Sequence, residues 1–451
     1  MKERIRQNNV LLVEPDFPYA SKSKNRANTI HKNFTPIGLL KIGAYKKENG
    51  SKVKLVRGNH TKSSIEFVPD EIWITSLFTY WSSYMWDSVE YYRKTFPSSK
   101  IFVGGIYVTL HYKEEYFRRL ISEHKVESPV IGIDPVFEDY YPDYSLMETE
   151  IRHHITHASR GCFRKCKFCG VWKIEPKKQY KEISELVKEI QTVGKNQVIF
   201  FDNNFLDHPD IENLLETLAE LRVNKRPVTY ECQSGFDGRI MLKNQNLPKM
   251  LKKARFRNIK IAWDGLIKEK NKIEKQLSLL EEAGFIIKDV SVFMIYNYDI
   301  PYEKMIEKIV ACQEWKVQIN DCRYRPLNSL NDQYKPHMYK NGQTSDDYHI
   351  HEEAGWTDRK IRDFRKSVRE HNIGIRYAND GTKYNRKMEK WSSIHALFKY
   401  FNLGERTPRM EEIERDVTWD LRIKKLTTLK SKNKKETDLK LLSWDDIMIL
   451  L

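Results

Sequence analysis

What the sequence lacks narrows it first. No apolar stretch approaches the length of a membrane span, and no apolar run follows the charged Met1-Lys2-Glu3-Arg4. Neither a spanning helix nor a secretory leader is expected, and the chain reads as cytoplasmic with no membrane partner. Cysteine is scarce, six in 451 residues, and half of it falls within eight positions. Clustered, unpaired thiols suit a reducing compartment. Acidic residues are outnumbered, 62 Asp+Glu against 78 Lys+Arg, leaving a net charge of +16. That surplus favours an anionic partner such as RNA, DNA or a phosphorylated metabolite, although no recognition motif of the known nucleic-acid modules accompanies it. With 40% hydrophobic residues over 451 positions, two or three domains with cores of normal size are expected.

The cysteines that are present concentrate the chemistry. Arg160-Gly161-Cys162-Phe163-Arg164-Lys165-Cys166-Lys167-Phe168-Cys169-Gly170 sets three thiols at C-x3-C-x2-C spacing. Three thiolates so spaced can ligate three irons of a 4Fe-4S cluster and leave the fourth iron without a protein ligand. Arg164, Lys165 and Lys167 would offset the charge of an anionic cluster and raise its potential. Zinc is the competing metal, but its structural sites are closed by four ligands and no second Cys or His pair lies at finger-like spacing. His153, His154 and His157 lie just upstream and keep a zinc site open as an alternative. Cys232, Cys312 and Cys322 lack cluster spacing; they read as buried small hydrophobes, with Cys232 and Cys322 at strand ends as candidate reactive thiols or ligands to a second metal.

The triplet resembles the signature of the radical S-adenosylmethionine (radical SAM) enzymes, including the aromatic Phe168 just before the last cysteine. The resemblance implies that Cys162, Cys166 and Cys169 ligate a 4Fe-4S cluster. It implies that the amino and carboxylate groups of S-adenosylmethionine chelate the open iron, and that one electron cleaves the cofactor to methionine and a 5'-deoxyadenosyl radical. An electron donor of flavodoxin or ferredoxin type follows as a partner.

Upstream, Val10 to Val13 reads as a buried strand, Pro36 to Tyr45 as a helix with Thr35 as its cap, and Val53 to Val56, Ile72 to Leu77 and Ile101 to Val103 as further strands. A helix from about Ser82 to Lys94 separates the last two. Strand and helix alternate, so residues 1–133 are expected to form a doubly wound, Rossmann-like parallel sheet. Thr35-Pro36-Ile37-Gly38-Leu39-Leu40 and Val103-Gly104-Gly105-Ile106-Tyr107-Val108-Thr109-Leu110 are similar to the cobalamin-binding domain that often precedes a radical SAM domain. The departure is the cobalt-ligating His of an Asp-x-His-x-x-Gly loop: Asp16-Phe17-Pro18-Tyr19 stands there, and the nearest His is His31. Residues 134–150 read as a linker.

Residues 151–330 alternate again, with strands near 154–159, 198–201, 228–232, 259–263, 290–296 and 317–323. The α/β pattern fits a partial (β/α)6 barrel whose chemistry sits at the strands' C-terminal ends. Candidate cofactor-binding residues fall there: Asp202, Asn203 and Asn204; Gln233 and Ser234; Asp264; Tyr296 and Asn297. A helix cap is the competing reading of the Asp202 stretch. Arg323 and Arg325 end the last strand as a candidate clamp for an anionic substrate. Residues 331–451 are expected to be a basic, mostly helical extension. It holds His349 and His351 as a candidate metal or phosphate contact, a helix capped by Thr357, and eight Lys+Arg against two acids over 421–440.

The expected function is therefore a radical SAM enzyme acting on an unreactive C–H bond. Cobalamin-dependent methyl transfer, or modification of a nucleoside in RNA or DNA, are its candidate outcomes. A non-catalytic iron-sulfur protein, or a zinc-containing nucleic-acid-binding module, is the alternative.

Overall fold

A continuous apolar run starts the chain's order. Val10, Leu11, Leu12 and Val13 are all fully buried, as expected for a central strand covered on both faces. The computed structural model describes residues 7–18, 35–338 and 342–377. Strands β1 (Asn9–Glu14), β2 (Lys52–Arg57), β3 (Glu71–Ser76) and β4 (Lys100–Gly105) form one parallel sheet in the order β2-β1-β3-β4. Alternate residues of β1 then serve opposite faces. Leu11 and Val13 join Ile72, Ile74, Ile101 and Val103 against Met85, Val89 and Tyr92 of the helix Ser82–Thr95. Val10 and Leu12 join Leu55 and Trp73 against Leu39 and Leu40 of the helix Ile37–Glu48. That helix starts one residue after Pro36, which occupies the cap position assigned to Thr35.

The strand order reverses between β1 and β3, the kind of switch point at which open α/β sheets leave a crevice. Aromatic rings crowd its C-terminal edge: Phe17 stacks on Trp81 at 5.6 Å, and Phe78 stacks on Tyr80 at 5.1 Å. Gly104 and Gly105 are taken up by the chain itself. A Cβ at Gly105 would lie 2.2 Å from the Ser76 carbonyl oxygen, and one at Gly104 would lie 3.3 Å from the Val130 Cβ.

Residues 134–150 are fastened at both ends. Lys41 pairs with Glu138 at 3.0 Å and Lys47 with Asp143 at 2.7 Å. The Tyr144 hydroxyl accepts the Ile155 N–H at 2.8 Å and lies 3.1 Å from His154 Nδ1.

Six parallel strands follow: β5 (His154–Thr156), β6 (Gln197–Phe200), β7 (Thr229–Cys232), β8 (Lys260–Ala262), β9 (Ser291–Tyr296) and β10 (Gln318–Arg323). They run as two three-stranded sheets, β7-β6-β5 and β8-β9-β10, linked by parallel bridges Tyr230 to Phe256 and Phe236 to Ile261. Register sets which side chains share a face. Ile155 lies opposite Ile199, and Ile199 opposite Glu231; in the other sheet Ala262 lies opposite Phe293, and Ile295 opposite Cys322. Lys260 reaches Glu231 at 2.6 Å, so these two faces meet as one common face. Helices Ile183–Val193, Ile211–Glu220, Leu247–Lys253, Lys270–Glu282 and Tyr302–Glu314 follow or separate the strands. The α/β alternation expected for 151–330 is thus present, with most strand ends shifted by a residue; the first strand, expected over 154–159, stops at Thr156, and Ser159–Arg160 pairs separately.

The described residues up to Arg365 form one compact unit, and the described residues from Lys366 belong to another. The helix Asp358–Tyr377 is capped by Thr357, whose hydroxyl accepts the Lys360 N–H at 3.2 Å. His31 and the basic stretch 421–440 lie outside the described residues.

Candidate functional site

The cysteine loop begins where β5 ends. Ser159–Arg160 pairs antiparallel with Gln179–Tyr180, so the chain leaves the sheet and returns beside itself. Gly161 opens the loop at φ +75, and a Cβ there would lie 2.6 Å from the Lys177 carbonyl oxygen. Only glycine meets both conditions without strain.

Three carboxylates hold this base. The Asp202 carboxylate accepts the Ala158 N–H at 3.0 Å, the Ser159 N–H at 2.6 Å and the Ser159 hydroxyl at 2.8 Å. Burial pushes its carboxyl up to about 6, against the lowering effect of those donors. Glu175 accepts the Gly161 N–H at 2.7 Å, Asn203 Nδ2 at 2.6 Å and Arg160 Nη1 at 3.0 Å. Arg160 forks onto Glu138 with its other nitrogens at 2.7 to 3.1 Å. Because Lys41 also binds Glu138, an ion-pair chain runs from the first helix of the N-terminal sheet to the residue two before Cys162.

Within the loop the three thiols are half-buried and lie in one another's electrostatic field. The Arg164 N–H donates to Cys162 Sγ at 3.4 Å, and the Val171 N–H donates to the Cys169 thiol. The Cys169 N–H and Trp172 Nε1 both donate to the Cys166 carbonyl, at 3.0 and 3.2 Å, which closes the turn. Burial pushes the Cys166 and Cys169 thiols up, and nearby Asp264 acts in the same direction. Arg164 and Arg239 supply the opposing positive charge. Both are anchored on Asp237, at 2.5 and 2.7 Å. Phe168 meets Tyr298 edge to face at 5.9 Å.

This donor set fits an iron-sulfur cluster: three thiols on one turn, N–H groups aimed at two of the sulfurs, and cations beside them. The histidines upstream do not join it. His154 is buried and holds Glu189 at 3.0 Å, and the His157 ring packs on Phe201 at 6.4 Å. Among the described residues, no three His, Cys, Asp or Glu side chains converge as they would on a single metal ion.

The other residues singled out from sequence divide. Asp202 and Asn203 serve the base of the loop, as described, and neither caps a helix. Asn204 is buried and its Oδ1 has no partner; Gln233 Oε1 is likewise buried and unpartnered. Ser234 is exposed. Asp264 is exposed at the end of β8 yet set among protein atoms, and that desolvation raises its carboxyl ahead of the lowering by Lys308 and Arg239. Its turn is clamped by fully buried Lys308, which donates to the Trp263 carbonyl at 2.6 Å and the Gly265 carbonyl at 3.1 Å. The Tyr296 ring is fully buried, packed on Phe364 at 4.8 Å and Trp356 at 6.0 Å. Asn297, at φ +58, donates to the His349 carbonyl at 2.8 Å and accepts the His351 N–H at 2.9 Å. It thereby fixes the segment carrying both histidines beside Tyr298 and Tyr324, whose rings lie 4.4 Å apart.

Arg323 and Arg325 are not a free clamp. Both bind Asp332; Arg323 also lies over the Tyr334 and Tyr348 rings at 4.7 and 4.9 Å, and Arg325 over Tyr80 at 4.3 Å. Cys232 and Cys312 are buried, whereas Cys322 is exposed on the common strand face, where desolvation pushes its thiol up to about 12. Sequence reasoning missed Glu138, Glu175, Asp237 and Arg239. Glu138 lies 22 residues from Arg160, Glu175 15 from it, and Asp237 73 from Arg164, so no local motif joins them.

Residues 156–312 match the model of the radical SAM superfamily. No curated protein sequence matches the chain. Among solved structures, the chain is similar to the cobalamin-dependent S-adenosylmethionine radical enzyme OxsB with aqua-cobalamin and S-adenosylmethionine bound, at TM-score 0.46 and 13% identity, over 87% of this chain and 62% of that one. It is similar to Streptococcus suis SuiB bound to precursor peptide SuiA at TM-score 0.30 and 18% identity, over 41% of this chain and 43% of that one. Streptococcus suis SuiB alone gives TM-score 0.29 and 14% identity, over 56% and 59% of the two chains. The chain thus spans less than two thirds of the length of each of these structures.

Proposed function

We propose that the chain, whose residues 156–312 match the radical SAM superfamily model, is an enzyme of that superfamily in which Cys162, Cys166 and Cys169 hold a 4Fe-4S cluster for S-adenosylmethionine cleavage. The observation that carries this reading is the turn itself, with three half-buried thiols, two N–H···S contacts and the Arg164–Asp237–Arg239 cation pair. When bound, cluster and S-adenosylmethionine together supply one-electron cleavage of the cofactor to methionine and a 5'-deoxyadenosyl radical that abstracts hydrogen from a C–H bond.

The chain's own residues do the rest. The six strands β5 to β10 are read as the partial (β/α)6 barrel, with the loop at its C-terminal end. Asp202, Glu175 and Glu138 keep the loop's backbone in place, which fixes the thiol positions before any ligand arrives. Arg164 and Arg239 hold positive charge beside the sulfurs, which favours a more negative ligand set and raises its potential. Asn204 Oδ1 and Gln233 Oε1 are polar acceptors left without partners at successive strand ends, and we assign them to donors of the bound cofactor, whose amino and hydroxyl groups would satisfy them. Asp264 is a carboxylate close enough to act on the Cys166 and Cys169 thiols. The rings of Phe168, Tyr298 and Tyr324 pack in a row beside the loop.

A second reading adds cobalamin-dependent methyl transfer. It is supported by the switch point between β1 and β3, beside which Phe17 stacks on Trp81 and Phe78 on Tyr80. Gly104 and Gly105 lend it nothing, since protein atoms fill the space beside them.

Anaerobic reconstitution followed by iron, sulfide and cobalt analysis tests both readings. About four irons per chain, lost in Cys166→Ala, is expected for the cluster. Zinc in the wild-type loop, or iron retained by the variant, would overturn the ligand assignment. Cobalt at one per chain would select methyl transfer.

A further inference from the structure

The helix Ile106–His111 joins parts of the molecule that are distant in sequence. It starts where β4 ends, at the close approach of Gly105 to Ser76, and lies against the helix Val171–Ile174 that follows Cys169. Its last residue, His111, is buried, and its Nε2 lies 2.9 Å from the carbonyl oxygen of Leu327, in the segment after β10. A carbonyl only accepts, so Nε2 carries the proton. Nδ1 lies 2.6 Å from the Tyr116 hydroxyl, which is hydrogen-bonded to Tyr107, and the Tyr107 hydroxyl accepts Trp86 Nε1 at 3.0 Å. The ring is thus oriented from inside the core of the N-terminal sheet, where Tyr107 is fully buried.

Leu327 stands over the end of the cysteine loop. A Cβ at Gly170 would lie 3.3 Å from Leu327 Cδ2 and 3.6 Å from Ile174 Cδ1, so these two side chains cover the residue next to Cys169. The Gly170 carbonyl accepts the Lys173 and Ile174 N–H groups at 3.0 and 3.1 Å, opening the short helix whose Trp172 indole holds the Cys166 carbonyl. So short a helix is not stable by itself and depends on what packs against it. The segment that carries Leu327 is tied to the N-terminal sheet at two further points. Arg325 lies over the Tyr80 ring at 4.3 Å, and the Leu330 carbonyl accepts the Ser82 hydroxyl at 3.1 Å while the Leu330 side chain packs on that sheet's core.

We infer that His111 and Leu327 are positioning residues for the cluster, through which the N-terminal sheet holds Cys169 at its ligand position, an inference that rests on the ligand role proposed above. Glu138, Glu175 and Asp202 bind residues 158–161, at the loop's start. Leu327 acts at its other end. Cys162 follows the carboxylate-held start and Cys169 adjoins the residue that Leu327 covers, so the two thiols depend on different supports. His111 acts only through the Leu327 carbonyl, which it fixes so that the side chain stays on Gly170. This gives the β4 turn a task of its own: Gly105 lets the helix begin tight against Ser76, and the helix then reaches the loop. The brace uses the β4 edge of the sheet and leaves the switch point between β1 and β3 to other uses.

Trypsin separates the thiols, leaving Cys162 in 161–164 and Cys169 in 168–173. Alkylation of the folded, metal-free full chain by iodoacetamide can therefore be timed for each thiol by mass spectrometry. Leu327→Ala and His111→Phe should each speed the reaction of Cys169 by about fivefold or more and leave Cys162 within about twofold of the wild type. Leu327→Met and His111→Gln, which keep the bulk and the donor, should restore the wild-type rate. An unchanged Cys169 rate in either disruptive variant, Cys162 rising together with Cys169, or no rescue by the conservative pair would overturn the inference. Should His111→Phe fail to fold, Leu327→Ala, at a half-buried position, decides with its own rescue. In the cluster-loaded chain Leu327→Ala should lose iron to a chelator about tenfold faster than the wild type, and equal loss would refute the role at the cluster. A wild type that takes up no iron would refute the ligand assignment alone, and the alkylation rates would still decide the brace.

Discussion

Replacing Glu175 with Gln should loosen the cysteine loop without touching a thiol. The Glu175 carboxylate accepts from Gly161, Asn203 and Arg160 at 2.6 to 3.0 Å, and its side chain is mostly buried. Gln keeps the shape but replaces one accepting oxygen with a donating NH2, which then faces an N–H. It also removes the negative charge that holds Arg160. Hydrogen bonds to charged groups contribute about 1.5 to 3 kcal/mol each, and a buried donor left unsatisfied costs about 1 to 3. Asn203 and Arg160 can turn partly to other acceptors, Glu138 in the case of Arg160, so a net local loss of about 2 to 3 kcal/mol is expected. At 1.4 kcal/mol per tenfold, that corresponds to roughly 30- to 150-fold faster amide exchange where the loop opens locally. Hydrogen–deuterium exchange of peptides covering 158–176 reads this directly, with Glu212→Gln, which disturbs only an exposed contact to Asn244, as the reference. Unchanged exchange in 158–176 alongside an intact fold would refute the view that this carboxylate fixes the loop.

Glu189 is buried, and although burial raises its carboxyl, the hydrogen bond from His154 and the charge of Lys181 outweigh this and hold it down at about 2. Its folded value is below the unfolded one, so its contribution of about 3 kcal/mol is complete above pH 4.5 and is lost as pH falls toward 2. Glu189→Gln should flatten that part of the stability profile in urea unfolding; an unaltered profile would show that the network does not titrate there. Lys308 runs the other way: burial lowers its ammonium to about 8. The folded state then favours the neutral amine, and stability should rise by up to about 3 kcal/mol between pH 8 and 10.5, a slope that Lys308→Met removes. Gly105→Ala forces a Cβ to 2.2 Å from the Ser76 carbonyl at φ +101, whereas Gly50→Ala at φ +80 meets nothing within 4 Å. The first should cost well over 2 kcal/mol and the second about 1, compared by thermal unfolding; equal shifts would contradict the packing described for the β4 turn.

The strands were legible because burial leaves its mark in order along the chain: Val10 to Val13 could hardly be anything but a central strand. The cysteine loop was legible because its three thiols are neighbours in sequence. What supports the loop was not, since Glu138, Glu175 and Asp237 reach it from separate elements. Asp202 shows the same limit. An Asp just after a strand reads as a helix cap, while its donors, Ala158 and Ser159, lie 44 and 43 residues upstream. Arg323 and Arg325 looked free because Asp332 and the rings of Tyr80, Tyr334 and Tyr348 come to them only through folding. The side-chain amide of Asn297, a candidate cofactor contact from sequence, joins the His349–His351 segment to the end of β9, a link across more than 50 residues that no local pattern shows.

Cleavage of S-adenosylmethionine by the reconstituted chain tests the central claim most directly. With a strong reductant under anaerobic conditions, the wild type should release methionine and 5'-deoxyadenosine, and Cys162→Ala, Cys166→Ala and Cys169→Ala should each abolish both. A chain that holds a cluster but leaves S-adenosylmethionine intact with every reductant, or a cysteine variant that still forms deoxyadenosine, would contradict it.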